Sequence, residues 1–297
     1  MADKTIQVAF GQRMQVGECP LWHPEEKTLY WVDIDGMEIH SLHSDSTMHR
    51  SWKMPSEPAA IARHASGGLI VALRTGLSHL DTDSGRLLDM ARAPYDPSNT
   101  RFNDGRCDAA GRFWLGTLYE PRDRQEAGMY CLEKGKIRTI WQGGITVSNG
   151  LAFSPDNCFL YHADTTSHTI YRRNFDLASG RAGEPIVFKR FPTDRTQDYG
   201  GRPDGAAVDS EGAYWCAMFD GGRLLRISSS GDILEDIHLP VRCPTMMAFG
   251  GNDLRTLYVT SASKNRPTNE LDRFPLSGCI LSLQVAVPGR IEPVYRE

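Results

Sequence analysis

Residues 202–227 read RPDGAAVDSEGAYWCAMFDGGRLLRI, and this stretch decides the fold. It opens with the turn-forming residues Pro, Asp and Gly and continues in an apolar run that begins at Tyr214. A second turn, Asp-Gly-Gly, then leads into another apolar run. Short runs rich in aromatic and aliphatic residues, bounded by Gly, Asp and Pro, are typical of β-strands joined by tight turns. The stretch therefore predicts a unit made of successive β-strands.

The same unit recurs along the whole chain. The strand-rich runs begin at Leu29, Leu69, Phe113, Phe159, Tyr214 and Leu257. These starts are about 40 to 55 residues apart, which is the period expected of propeller blades. The sequence therefore predicts an all-β, six-bladed β-propeller that forms a single domain over residues 1–297. A β-sandwich with uneven hairpins is the alternative, but it does not explain a unit that recurs from end to end.

Two further features bear on how the blades assemble. The segments 5–10 and 290–295 also have a strand-like pattern, so we expect both chain ends to join one blade and close the ring. Trp31, Trp114 and Trp215 occupy the same phase of their strands. This shared phase predicts that the three indoles pack between blades.

Composition and charge restrict the class of partner. The chain has a net charge of −4 and an estimated pI of 6.1. A mildly acidic chain without a block of Lys or Arg argues against nucleic acid and anionic membranes as partners. No apolar stretch is long enough to span a bilayer, and no signal peptide is evident. Seven cysteines without a Cys-x-x-Cys pair fit reduced thiols in a cytoplasmic protein.

Polar side chains recur just before the strand-rich runs, in segments that the sequence suggests are turns. Equivalent places hold Glu18, Asn149 and Asp204, and a fourth repeat offers Asn103 and Asp104. Equivalent turns of different blades converge at one mouth of the channel. Two carboxylates and an amide oxygen that converge there are hard ligands suited to Ca²⁺, Mg²⁺ or Mn²⁺. Asn-Gly and Asp-Gly are also common turn dipeptides for backbone reasons alone, so the metal prediction depends on this convergence.

Four stretches carry a resemblance to a known family. They are GECPLWHPEEKTLYWVDI (17–34), RFNDGRCDAAGRFWLGTL (101–118), SNGLAFSPD (148–156) and RPDGAAVDSEGAYW (202–215). In these stretches, and in their order and spacing, the chain resembles senescence marker protein 30 (regucalcin), gluconolactonases and related sugar lactonases. The resemblance covers nearly the whole chain. It implies a six-bladed propeller with one divalent cation near the channel mouth.

The resemblance also implies roles for individual residues. Glu18, Asn149 and Asp204 fall where the family has its metal ligands, and Asp204 also occupies the position of the general base. Arg101 and Asn103 fall on substrate-contacting positions.

One segment departs from the family pattern. The family often has two consecutive acids after its Gly-Thr-Met strand, and the second lies near the substrate. Here Pro121 replaces the second acid, so Glu120 is the available candidate for a substrate contact. The departure leaves the preferred sugar open.

The expected reaction is metal-dependent hydrolysis of an aldonolactone to the aldonic acid. Calcium is the first choice of cation, with zinc, manganese and magnesium as alternatives. The cation would polarise the lactone carbonyl, and Asp204 or the cation would activate the attacking water.

Two other functions remain open. A hydrolase of the same architecture could act on organophosphates, aryl esters or other lactones such as fatty acyl lactones, but such substrates favour an apolar mouth. Arg101, Asn103, Asp104 and Asp198 indicate a polar one. A non-enzymatic calcium-binding regulator is the second alternative, and it would not need Glu18, Asn149 and Asp204 to converge on one cation.

Overall fold

The protein is described by a computed structural model that covers residues 5–46, 48–195 and 199–297. Six antiparallel sheets form the blades of a β-propeller around a central channel, which confirms the predicted all-β, six-bladed fold. Five sheets have four strands, and the sheet of blade 4 has a fifth. Within the described ranges there is one short α-helix, Thr268–Arg273.

The strands of each blade follow from the channel outward. Blade 1 comprises Gly17–His23, Thr28–Asp33, Glu38–His43 and His49–Lys53; blade 2 comprises Pro58–Arg63, Leu69–Leu73, Gly76–Leu80 and Leu87–Arg92; blade 3 comprises Thr100–Cys107, Phe113–Tyr119, Ala127–Glu133 and Lys136–Ile145. Blade 4 comprises Ser148–Phe153, Phe159–Asp164 and Thr169–Asp176, followed by Arg181–Ala182 and Ile186–Arg190; blade 5 comprises Arg202–Val208, Tyr214–Phe219, Arg223–Ile227 and Ile233–His238; blade 6 comprises Pro244–Gly250, Thr256–Ser261, Ile280–Gln284 and Ile6–Phe10.

The ring is closed by a strand from the start of the chain. Ile6–Phe10 pairs antiparallel with Ile280–Gln284, the third strand of blade 6. The two ends of the propeller are therefore joined by backbone hydrogen bonds within one sheet. This confirms the predicted closure for the first of the two terminal segments.

The prediction of a strand at residues 290–295 is wrong. This segment joins no blade, and its one β-bridge links Tyr295 to His64. Pro293 lies within it, and proline has no N–H to donate to a sheet ladder. The segment runs instead past the loops that follow the inner strands. There the backbone N–H of Tyr295 donates to the carbonyl oxygen of Arg63 (2.8 Å), and that of the next residue, Arg296, donates to the carbonyl oxygen of Gly111 (2.9 Å).

This C-terminal segment closes the channel at the end opposite the start of the inner strands. Arg106 donates from Nε to the carbonyl oxygen of Leu151 (2.8 Å) and from Nη2 to that of Ala206 (2.6 Å), and it forms an ion pair with Glu292 of the segment. Voids of only about 20 and 30 Å³ remain around Arg106 and Glu292. Each is little more than the space of one water molecule, so Arg106 and Glu292 fill most of this end of the channel.

The three tryptophans in equivalent strands lie between blades, as predicted. Trp31, Trp114 and Trp215 are fully buried. Their neighbours in the adjacent blade are Phe10 for Trp31, Phe153 for Trp114 and Phe249 for Trp215, with ring centroids 5.1 to 5.9 Å apart. Buried aromatic pairs of this kind provide large apolar contact areas, so the second strand of each of these blades helps to hold its neighbour in place.

The polar segments that the sequence suggested to be turns are the innermost strands themselves. Each inner strand contains a β-bulge near its start, and in three blades the bulge adjoins a predicted metal ligand: it lies between Glu18 and Leu21, between Asn149 and Ala152, and between Pro203 and Ala206. Two residues within these bulges adopt left-handed backbone angles, Cys19 (φ 43°) and Gly150 (φ 61°). A bulge bends its strand and redirects a side chain, so it is the bulge that presents these polar groups to the channel.

The structure also bears on three further expectations from the sequence. No helix in the described ranges is long and apolar enough to cross a membrane. All seven cysteines are free thiols, and burial raises the pKa of Cys19, next to the candidate metal ligand Glu18, to about 12. Cys19 is a packed thiol, and its Sγ lies within hydrogen-bond distance of the backbone of Ile61. Asp198, noted in the sequence as part of a polar mouth, lies outside the described residues.

Candidate active site

A cavity of about 830 Å³ opens at the end of the channel where the inner strands begin. All six residues predicted from the sequence to bind metal or substrate line this cavity: Glu18, Arg101, Asn103, Glu120, Asn149 and Asp204. They come from four blades, so their proximity depends on closure of the ring. The structure thus brings together side chains that are up to 186 residues apart, from position 18 to position 204.

The predicted metal ligands form the floor of the cavity. Glu18, Asn149 and Asp204 are buried, with exposed fractions of 8%, 4% and 6%. Each lies at the bulge of a different inner strand, in blades 1, 4 and 5. The bulges of blades 2 and 6 have Ala59 and Thr245 near the equivalent place, which explains why those blades offer no carboxylate.

The two carboxylates of the floor lie in an environment that disfavours negative charge. Burial raises the pKa of Glu18 well above its ordinary value, and the nearby carboxylates of Asp204 and Asp104 raise it further. Burial raises the pKa of Asp204 to about 8, although Arg202 and Arg101 partly oppose the shift. Like charges held together in a buried place are stabilised by a bound cation.

This donor set fits a hard divalent cation. Glu18 and Asp204 offer carboxylate oxygens, and Asn149 offers an amide oxygen, which are ligand types that Ca²⁺, Mg²⁺ and Mn²⁺ prefer. Among the described residues there is no group of three or more His, Cys, Asp or Glu side chains placed to hold a metal. The candidate set therefore contains only two such side chains, and its third donor is the neutral amide.

A chain of hydrogen bonds connects the predicted substrate residues to the predicted metal ligands. Arg101 donates from Nη1 to Oδ1 of Asn103 (2.8 Å), and Asn103 donates from Nδ2 to Oδ1 of Asn149 (2.9 Å). Asn149 then donates from Nδ2 to Oγ1 of Thr165 (2.8 Å), and Thr165 donates to the carbonyl oxygen of Pro203 (2.8 Å). Each partner restricts the rotation of the next. The orientation of the Asn149 amide is consequently fixed from both sides.

Thr165 is a site residue that the sequence did not reveal. It follows the second strand of blade 4, whereas the sequence pattern pointed to the inner strands. Thr165 is buried and lies within hydrogen-bond distance of Asn149 in the same blade. A Thr-Thr pair after a strand carries no signal of its own, so only the folded structure identifies it.

The side chain of Glu120 is engaged by an arginine. Arg74 donates from Nη2 to Oε1 of Glu120 (2.6 Å) and from Nε to Oε2 of Glu57 (2.9 Å). Hydrogen bonding to Arg74 lowers the pKa of Glu120 below its ordinary value. Nε of Arg101 lies 4.0 Å from Glu120. Glu120 therefore joins two arginines at the cavity wall, and it lies nearer to solvent than the buried floor.

Comparison with known proteins gives one consistent assignment. The profile of the SMP-30/gluconolactonase/LRE-like region matches residues 16–263. A 6-deoxy-6-sulfogluconolactonase from Pseudomonas putida is 43% identical over 293 residues, covering 99% of each chain. A pentonolactonase from Haloferax volcanii is 32% identical and covers 94% of each chain.

A solved structure shows the same architecture over the full length. A calcium-binding protein, regucalcin, from Agrobacterium tumefaciens superimposes with a TM-score of 0.92 and 29% sequence identity, covering 100% of both chains. The match extends through all six blades and the closing strand.

Proposed function

This chain belongs to the SMP-30/gluconolactonase/LRE-like family, and from that premise we propose that its cavity hydrolyses an aldonolactone to the aldonic acid with the help of one bound divalent cation. The lactonases among its relatives establish the coarser point: the chain is a lactone-hydrolysing enzyme. The observation that carries the finer proposal is the buried floor, where two carboxylates and an amide oxygen from three blades face one polar cavity.

Glu18, Asn149 and Asp204 would hold the cation, with calcium as the first choice. The raised pKa values of the two carboxyl groups, caused by burial, support a cation at this place. When bound there, a divalent cation polarises a carbonyl oxygen and lowers the pKa of water. Zinc, manganese and magnesium remain alternatives, because oxygen ligands alone do not select strongly among them.

Asp204 is the proposed general base. Hydrolysis of a lactone requires that a water molecule loses a proton as its oxygen forms a bond to the carbonyl carbon. A carboxylate at the floor is placed to accept that proton. Burial raises the pKa of Asp204, and a bound cation would lower it. The proton later reaches the ring oxygen, whose bond to the carbonyl carbon breaks, and the product is the open-chain acid.

Arg101, Asn103 and Glu120 are the proposed substrate contacts. Nη1 of Arg101 is occupied by the carbonyl oxygen of Phe102 and by Asn103, which leaves Nη2 for substrate oxygens or for negative charge on the carbonyl oxygen. Asn103 also orients the Asn149 amide, because its Nδ2 donates to Oδ1 of Asn149. Arg74 donates to both carboxylate oxygens of Glu120. Glu120 would accept a hydrogen bond from a sugar hydroxyl through the remaining lone pair of either oxygen.

The composition of the cavity walls argues against the alternative hydrolase. Charged and amide side chains dominate the lining, and apolar ones such as Ile34, Val147 and Phe219 are scattered among them. An apolar organophosphate, an aryl ester or a fatty acyl lactone would form few apolar contacts there. The geometry of the cavity does not distinguish an enzyme from a non-enzymatic calcium-binding regulator. An assay does, because the regulator would bind the cation without hydrolysing a lactone.

The free cysteines support the proposed cytoplasmic location, because six of the seven are buried as thiols. A small-molecule lactone remains the expected partner, and the acidic net charge gives no support for nucleic acid or an anionic membrane.

The test is a panel of aldono-1,4- and aldono-1,5-lactones assayed by acid release. The protein is treated with chelator and then supplied separately with Ca²⁺, Zn²⁺, Mn²⁺ or Mg²⁺. We expect turnover to disappear with chelator and to return with at least one cation. Asp204→Asn should lower kcat by about a hundredfold or more, as expected for loss of a general base.

Asp35→Asn is the matched control for this test. Asp35 lines the same cavity but forms an ion pair with Lys264 (2.5 Å) away from the floor. Its substitution should leave kcat within about threefold of the wild-type value, because an ion pair that is partly exposed to solvent contributes little. Acid release that is unaffected by chelator, or equal loss in both variants, would contradict the proposal.

A further inference from the structure

The mouth of the cavity is unusually basic for an acidic protein. The whole chain has a net charge of −4. The cavity is nevertheless lined by seven cationic side chains and five carboxylates; the cationic ones are Arg74, Arg101, Arg122, Arg195, Arg202, Lys264 and Arg266. An acidic protein repels anions at long range, so a local excess of positive charge at one opening indicates which ligands it attracts.

Most of these cations have carboxylate partners close by. Arg74 and Arg101 share Glu57 and Glu120, which lie 2.6 to 4.0 Å from their guanidinium nitrogens. Lys264 pairs with Asp35.

On the opposite wall, two carboxylates outside the lining neutralise two more arginines. Arg266 donates from Nε to Glu270 (2.6 Å) and from Nη1 approaches Asp220 (2.9 Å), and Arg202 lies 3.3 Å from the same Asp220. Since Glu18 and Asp204 are assigned to the divalent cation, every carboxylate of the cavity is then matched.

Arg122 and Arg195 are the two that remain. Within the described ranges, neither forms an ion pair with a carboxylate. Both are exposed, so they lie at the rim, whereas Glu18 and Asp204 lie buried at the floor. When the divalent cation is bound, the paired charges of the cavity cancel. The two rim arginines then leave a net charge of about +2.

We propose that the substrate of this enzyme is a sugar lactone that carries an anionic group, such as a sulfonate, a phosphate or a carboxylate, on the part of the sugar remote from the lactone carbonyl, and that Arg122 and Arg195 bind this group. The inference rests on the proposed lactonase function, which places the lactone carbonyl at the floor.

The product of a neutral lactone does not account for the rim charge. Hydrolysis creates a new carboxylate, but it forms at the carbonyl carbon, which is at the floor beside Asp204. Arg122 and Arg195 are on the solvent side of the cavity and would face the other end of the substrate. Guanidinium groups suit sulfonate, phosphate and carboxylate oxygens because they offer several N–H donors in one plane.

The test compares a neutral lactone with anionic ones. Glucono-1,5-lactone, its 6-phosphate and its 6-sulfonate analogue are assayed with the cation-loaded wild type and with Arg122→Gln, Arg195→Gln and the double variant. Each single substitution should lower kcat/KM for the anionic lactones about two- to fivefold, and the double substitution up to about twentyfold, as expected for exposed ion pairs. Turnover of glucono-1,5-lactone should change less than twofold.

Two further measurements sharpen the comparison. Inhibition by 6-phosphogluconate should weaken in the double variant, whereas inhibition by gluconate should not, which reports on binding without turnover. Added salt should reduce the preference for anionic lactones, because exposed charges are screened within about 10 Å at 0.1 M.

Arg124→Gln is the control substitution. Arg124 is exposed and close in sequence to Arg122, but it pairs with Glu126 (2.9 Å) and does not line the cavity. It should leave all three kcat/KM values unchanged.

Two outcomes are distinguishable. If glucono-1,5-lactone is hydrolysed but the double variant keeps the full wild-type preference among the three lactones, the inference is overturned and the lactonase function stands. If none of the three lactones releases acid with any cation, the proposed function itself fails.

Discussion

Thr165→Val tests whether the hydrogen bonds around the floor position a metal ligand. Valine has nearly the shape of threonine but cannot form either bond. The substitution therefore removes the acceptor of Nδ2 of Asn149 and the donor to the carbonyl oxygen of Pro203, both at 2.8 Å. Thr165 itself is buried, with an exposed fraction of 8%, so water does not readily replace its hydroxyl group.

The expected magnitude follows from these two contacts. A buried N–H left without an acceptor costs about 1–3 kcal/mol. Rotating the Asn149 amide by half a turn does not relieve this cost, because its NH₂ group would then face the NH₂ group of Asn103, which donates to Oδ1 of Asn149. Loss of a partner that orients a metal ligand typically weakens metal binding about ten- to hundredfold. We expect a rise in Kd of that size, together with a loss of turnover at limiting cation.

The assay is calorimetric titration of Ca²⁺ and of Mn²⁺ into chelator-treated protein, followed by lactone turnover on the same samples. Thr165→Ser retains the hydroxyl group and should keep Kd within about threefold of the wild-type value, as expected when the hydrogen bond is preserved. Thr166→Val is the control, because Thr166 is adjacent, exposed and at the same cavity wall. If Thr165→Val lowers Tm but binds both cations like the wild type, Thr165 only packs, and the positioning role is refuted.

The other predictions address the floor, one bulge and one buried histidine. Glu18→Gln and Asp204→Asn should both raise Kd for the cation. At saturating cation only Glu18→Gln should recover turnover, because it retains the general base. Equal recovery in both variants would show that Asp204 is not the base. Gly150→Ala should lower both Tm and metal affinity, because Gly150 has φ 61° and an added Cβ would collide with Oη of Tyr214; Tm and a calcium titration measure this, and unchanged values would count against the bulge argument. Burial lowers the pKa of His162 to about 3 from an ordinary 6.5, so its contribution to stability is complete above pH 6.5 and is lost as the pH falls. At pH 5 this lowers the free energy of unfolding by about 2 kcal/mol. Urea unfolding at pH 7.5 and pH 5 should therefore show a larger loss of stability for the wild type than for His162→Gln, by about that amount. The same loss in both proteins would show that the imidazole is not the cause.

The sequence was sufficient for the fold because the blade is a local unit that repeats. Aromatic and aliphatic runs between turn residues recur six times, so an error in one repeat, such as the position of a strand end, does not alter the architecture. The predicted metal ligands also come from local repeats: Glu18, Asn149 and Asp204 occupy equivalent places, and the closed ring brings such places together. That the whole chain forms a single domain stays a prediction.

The sequence could not reveal features that depend on contacts between distant or irregular segments. The bulges were mistaken for turns, because Gly, Pro and Asp have the same local preferences in both. Thr165 acts through a bond to a side chain in another strand, and the pairing of Glu120 with Arg74 joins two blades. Residues 290–295 have a strand-like pattern, but whether they enter a sheet depends on which edges are open, and Ile6–Phe10 already occupies the outer edge of blade 6.

Arg106 and the C-terminal segment fill one end of the channel, so the cavity opens to solvent at the other end. A lactone bound in the cavity as proposed would lie between the floor and this opening. The water molecule that is consumed would then reach the floor before the lactone binds or pass beside it. The acid would leave through the same opening before the next lactone enters.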